Sequence, residues 1–104
     1  MADVRFSSLA ETDIEDISLY FLKYSEDSAR KFLKELMSKF QLLAKNPKIG
    51  RTHDEFFLNL RSFPYRDYII FYFPIENGVE IYRVLHSTRD IDSLFEDFFE
   101  GLKP

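Results

Sequence analysis

Between Ala10 and Ala44 apolar side chains return every three or four residues, and beyond Phe56 that rhythm gives way to runs of aromatic and β-branched residues. A chain that changes period once, from about 3.6 to 2, must fold into helices first and strands second. Ala10, Ile14, Ile17, Phe21 and Tyr24 make one stripe, with Glu11, Glu15 and Asp16 turned outward and placed early, where the positive end of the helix dipole favours acids. Ser8 with Glu11 fits a capping box and sets the expected start. Ser25, Glu26 and Asp27 then interrupt the stripe and supply a second N-cap. Ala29, Phe32, Leu33, Leu36, Met37, Phe40, Leu43 and Ala44 follow as a second stripe, stopped by Asn46 and Pro47. So short a connection leaves only an antiparallel hairpin of two helices.

The strands are read from alternation. Val4 and Phe6 predict a short opening strand. Residues 48–55, with Gly50 and no apolar period, read as a loop. Residues 57–63 read as a strand carrying Leu58 and Leu60 on one face, Asn59 and Arg61 on the other, and closed by Pro64. The unbroken run Tyr68 to Phe73 predicts a central strand covered on both faces. Asn77 and Gly78 mark a hairpin into a partner strand, Val79 to His86. Asp90 then caps a last helix with Ile91, Leu94, Phe95, Phe98 and Phe99 as its apolar stripe, ending at Gly101. The expected fold is α+β: an N-terminal strand, then an antiparallel helical hairpin packed on a mainly antiparallel sheet of three to four strands, closed by a short C-terminal helix. Three strands in succession are most simply a meander.

A length of 104 residues with 45% hydrophobic content predicts one domain over 1–104 with a real core. The absence of cysteine removes disulfides, thiolate zinc sites and cysteine nucleophiles, and two histidines do not make a metal cluster, so no metal or cofactor is expected. The start carries no basic and apolar leader pattern and no apolar run approaches membrane length, so a cytoplasmic protein without a membrane span is expected. Charge is banded: residues 1–28 sum to −5, residues 29–66 to +6 and residues 67–104 to −5. With a total of −4 the chain has no general attraction to polyanions, and direct sequence-specific nucleic-acid binding is not expected.

No P-loop, dinucleotide fingerprint, H-E-x-x-H pair or nucleophile elbow occurs. The chemistry left lies near the strand ends, in Arg61, Tyr65, Arg66, Tyr82, Arg83, His86 and Arg89. Metal-free RNA cleavage needs a proton acceptor, a donor and cations for the phosphate, for which Arg61, Arg83, His86 and Arg89 are the candidates. Strand geometry argues against them: Arg83 and His86 are an odd number of positions apart and point to opposite faces. His86 reads better as a residue capping the strand end, Arg89 as an anchor for the last helix, and Arg83 as half of an ion pair with Asp13 or Glu80. His53 has no partner signature and receives no role. Phe63, Tyr65, Phe95, Phe98 and Phe99, with Phe56, Phe57 and Tyr68, offer an aromatic surface that either meets a partner or is covered by the last helix.

Ala10, Asp13, Ile14 and Ile17 follow an A-x-x-D-[IL]-x-x-I order. After the second stripe come Asn46, Pro47, Ile49, Gly50, Arg51, then Leu60 to Tyr65 as L-R-S-F-P-Y, then Ile70, Phe71, Tyr72, and finally Arg83, Val84, Leu85, His86, Arg89, Asp90. In order and spacing these segments resemble the ParE toxins of the ParE/RelE superfamily, known from bacterial toxin–antitoxin and plasmid-stabilisation systems. The resemblance implies a small cytoplasmic toxin neutralised by a ParD-like antitoxin whose C-terminal segment wraps it. It also implies a non-catalytic action on DNA gyrase, with no catalytic residue. RelE members share the fold but cut mRNA on the ribosome with a basic cluster and a terminal Tyr or His. Here Phe95, Phe98 and Phe99 stand in the last helix, and a phenyl ring moves no proton. A third possibility is an inactive member kept as a binding partner.

Overall fold

Ser7 joins the first strand to the first helix and shows how the two layers are tied. Its amide donates to the Ile81 carbonyl at 2.9 Å, its hydroxyl donates to the Tyr82 carbonyl at 2.6 Å, and the same oxygen accepts from the Ala10 amide at 3.0 Å. The N-cap is therefore Ser7, one residue before the Ser8 expected from the capping box. Of two adjacent serines, the one held against the sheet takes the cap.

A computed structural model describes residues 2–95. In chain order the elements are β1 (Asp3–Phe6), α1 (Ser8–Leu22), α2 (Glu26–Lys45), β2 (Arg51–Thr52), β3 (Arg61–Tyr65), β4 (Tyr68–Ile75) and β5 (Gly78–His86). Residues 91–95 are helical. The five strands form one sheet in the order β1-β5-β4-β3-β2. β3, β4 and β5 are the expected antiparallel meander, and β1 runs parallel to β5 at one edge. The α+β architecture is as expected, with the two-residue β2 as an added edge strand.

The helical hairpin covers one face of the sheet. Phe32, Leu36, Phe40 and Leu43 of α2 meet Ile70 and Tyr72 of β4 and Val79, Ile81 and Val84 of β5, while Ile14, Ile17 and Phe21 of α1 pack at the margin. Tyr24 does not extend the α1 stripe, because the helix ends at Leu22 and the chain turns into the Ser25 cap. It is 70% exposed. The opposite face carries a second cluster in which Leu60, Phe71, Leu85 and Phe95 are buried among Phe56, Phe57, Ile69, Phe73 and Tyr82. β4 thus alternates between the clusters along its length, as a strand buried on both faces must.

Three local readings are corrected. Residues 54–60 are not a strand: His53 donates its amide to the Leu60 carbonyl, Asp54 Oδ1 accepts from the Asn59 amide at 3.0 Å, and Asn59 takes a left-handed φ of 69°. Leu60 is consequently buried and Leu58 is 77% exposed, although a regular strand would put both on one face. Pro64 lies inside β3 rather than closing it, which is tolerated because β2 pairs only with Arg61 and Ser62 and leaves the rest of β3 as an edge. At the β4–β5 turn Asn77 supplies the positive φ, 66°, while Gly78 does not. Gly78 is required instead by contact, since a Cβ there would strike the Asp3 carbonyl of the neighbouring β1.

β5 contains a bulge. Phe71 pairs with Arg83 but Tyr72 pairs with Ile81, so Tyr82 and Arg83 together face Phe71. Tyr82 enters the second cluster, and Arg83 turns toward α1.

Candidate functional site

The parallel pairing of β1 with β5 stops at Phe6 and Ile81, and past that point Asp13 of α1 takes the place of a strand. Its carboxylate accepts from Arg83 Nε at 2.8 Å, Arg83 Nη2 at 3.0 Å and the Val84 amide at 3.0 Å. Both side chains of the pair are mostly buried. The bond to Asp13 holds the Arg83 guanidinium above its ordinary pKa against the opposing pull of burial. Of the two carboxylates open to Arg83 in the sequence, the helix residue is the partner.

Arg61 is also committed. Its Nη1 donates to the carbonyls of Lys48 at 2.9 Å and Gly50 at 2.8 Å. Its cross-strand neighbour Tyr72 donates from Oη to the Pro47 carbonyl and accepts from the Gly50 amide. Together they pin the segment that follows α2, and burial raises the Tyr72 pKa. Gly50 is needed there because a Cβ would press on the Tyr72 hydroxyl.

His86 ends β5. Its Nδ1 accepts from the Thr88 amide at 3.2 Å and lies 2.7 Å from Thr88 Oγ1, and the ring stands edge-on to Tyr68 at 5.3 Å between centroids. The Arg89 amide donates to the His86 carbonyl, and the Arg89 side chain makes no hydrogen bond or ion pair among the described residues. His86 and Arg89 share a cleft of about 720 Å³ with Arg66, Asp13, Asp16 and Asp67. Arg83 does not line it, and Arg61 pairs with Tyr72, four residues along β4 from the Tyr68 that faces His86. The structure therefore brings two of the four candidate ribonuclease residues together and separates the other two.

The aromatic candidates lie inside. Tyr65 is 5% exposed and its hydroxyl donates to Glu35 Oε2 at 2.8 Å, an oxygen that also receives Arg66 Nη2. Burial and this bond push the Tyr65 phenol up to about 12, while the Tyr65 bond, with help from Arg66, holds the Glu35 carboxyl below its usual range. Phe63 packs against the hairpin-side core. Phe95 is 3% exposed and stacks on Phe56 at 4.6 Å. The expected single aromatic surface is divided between the two faces: Phe63, Tyr65 and Tyr68 lie under the helical hairpin, and Phe95 of the last helix packs on Phe56 and Phe57 on the other face, while Phe98 and Phe99 lie outside the described residues.

Exposed large apolar side chains include Leu19, Tyr20, Leu22 and Tyr24 on α1 and just after it, and also Met37, Leu42, Ile49 and Leu58 elsewhere. For Leu19, Tyr20 and Leu22 the signal was in the sequence, since they fall off the stripe where a solvated helix carries polar residues, whereas Tyr24 continues the stripe in sequence and is exposed because α1 ends before it. His53, given no role from sequence, bridges Glu55 Oε1 at 3.1 Å and Ser62 Oγ at 2.6 Å and stacks on Phe56, tying the 53–60 segment to β3. Among the described residues no group of three or more His, Asp or Glu is placed to hold a metal, and no helix is long and apolar enough to cross a membrane.

Comparison with known proteins bears on the family and the fold. A family model described as "ParE toxin of type II toxin-antitoxin system, parDE" matches residues 4–91. Toxin ParE1 of Mycobacterium tuberculosis, in strains CDC 1551 / Oshkosh and H37Rv, is 31% identical over 88 residues, covering 83% of this chain and 90% of the relative. A solved structure of a chromosomal ParDE TA system from P. aeruginosa superposes with a TM-score of 0.68 at 14% identity, covering 83% of this chain and 96% of the other, and shows a shared fold.

Proposed function

This chain belongs to the ParE toxin family of type II toxin–antitoxin systems, and from that premise we propose that it acts in the cytoplasm by binding DNA gyrase, without catalysis of its own, and is neutralised by a ParD-like antitoxin. The observation that carries the reading is the prior commitment of the cations. Arg83 is neutralised by Asp13, and Arg61 is held by two backbone carbonyls on another part of the sheet. A ribonuclease needs its base, acid and phosphate cations within reach of one bond, and of the four candidates only His86 and Arg89 share a cleft. Inhibition by adhesion needs only a stable surface.

The test is a pair of assays with the purified protein. Gyrase supercoiling should fall and cleaved DNA should accumulate, and both effects should persist in His86→Ala. Message cleavage on translating ribosomes that disappears in His86→Ala would replace this reading with a RelE-type ribonuclease using His86 and Arg89. Silence in both assays would leave a family member retained for binding its antitoxin.

A further inference from the structure

Lys31, Lys34 and Lys39 stand on α2 at spacings of three and five, on the same face as Glu35 and opposite Pro64, Tyr65 and Arg66. The two walls enclose a groove of about 730 Å³. Glu35 sits in the middle of the lysines but is already engaged, its Oε2 accepting from both Tyr65 and Arg66. None of the three lysines forms an ion pair among the described residues. The lining thus holds four cations and one carboxylate, an excess of three positive charges on a chain whose total is −4.

We propose that this groove is the seat of an acidic peptide segment and, resting on the reading of the chain as an antitoxin-held toxin, that the segment belongs to the antitoxin. Charge complementarity selects the ligand class. The three ammonium groups span about 12 Å along α2 at ~1.5 Å per residue, which matches roughly four residues of extended chain. Exposed Pro64 gives such a segment an apolar contact among the charges. A nucleic-acid backbone suits the groove less well, because a continuous line of phosphates calls for a longer basic track than this short patch supplies on a chain whose total charge is −4. Glu35 has a defined part: bonded to Tyr65 and Arg66, it fixes the wall opposite the lysines without cancelling them.

The experiment uses the full chain and a labelled oligo-glutamate peptide, followed by fluorescence anisotropy, with K31E/K34E/K39E against the matched variant K23E/K45E/K48E outside the groove. Both variants keep the wild-type thermal midpoint as the check on folding. The groove variant should bind the peptide on the order of tenfold more weakly, the matched variant should stay near wild type, and added salt should weaken the wild-type complex. No binding by the wild type, or an equal loss in both variants, overturns the proposal, as does groove-dependent capture of duplex DNA in preference to the peptide. Co-purification with the product of an adjacent antitoxin-like reading frame is scored separately. If the wild type fails to co-purify, the toxin–antitoxin reading fails. If co-purification is equal for wild type and groove variant, the assignment of the segment to the antitoxin fails while that reading stands.

Discussion

Asp13 and Arg83 are 70 residues apart in sequence and meet through two hydrogen bonds, and the same carboxylate caps the Val84 amide where β1 no longer covers β5. One side chain thus completes an edge of the sheet and neutralises a mostly buried arginine. Removing it leaves a guanidinium and an amide unsatisfied together. Asp13→Ala is expected to cost about 2–4 kcal/mol by urea denaturation, and Arg83→Met less, because that change removes the cation and keeps its packing. Equal losses in the two variants would contradict this account.

The Glu35–Tyr65 bond predicts a stability profile with two flanks. Tyr65 has its pKa raised to about 12 from 10.0, so its contribution is intact below pH 10 and drains away as pH rises toward the folded value. Glu35 has its pKa lowered, so its contribution is present above the ordinary carboxylate range and is lost as pH falls through the depressed value. Tyr65→Phe should flatten the alkaline flank relative to wild type, and Glu35→Gln the acid flank, both read as thermal midpoint against pH.

Gly78→Ala should loosen β1 selectively. The added methyl meets the Asp3 carbonyl, a backbone atom with no freedom to swing aside. A loss of about 1–3 kcal/mol is expected, with faster hydrogen exchange at the Asp3 amide, which donates to the Asn77 carbonyl, before the β4–β5 ladder is affected.

Phe95→Ala should act mainly on stability. The ring is 3% exposed and contacts Phe56, Phe57, Phe71 and Tyr82, so truncation opens a cavity and should cost about 3 kcal/mol. Leu19→Lys, at a position 53% exposed, should change the unfolding free energy by less than about 0.5 kcal/mol. Denaturant titration of both variants checks the contrast.

The helical hairpin was legible because its signals are local: period, caps and a proline stop lie within a few residues of what they control. The central strand was legible because Tyr68 to Phe73 has no polar position to offer solvent. What was not legible depends on partners distant in sequence. Leu58 and Leu60 alternate as a strand would, and only the Asp54 cap and the left-handed Asn59 break that alternation. The sequence demanded a carboxylate for Arg83 but not which one, since the choice of Asp13 over Glu80 depends on where β1 ends. His53 looked idle because Ser62 comes within its reach only once β3 is in place. Tyr65 looked like surface until Glu35 of α2 came to lie against it.

The doubled position at Tyr82 and Arg83 has a consequence for what a deletion would do to this chain. A ribbon sandwiched between two oily layers has little room for a guanidinium, and it carries one here beside an added link, with a carboxylate from the first coil at its flank. Excising Tyr82 would leave every later pairing with the neighbouring ribbon in step while returning the cation to the oil. In this chain, length at that point matters as much as which side chain stands there.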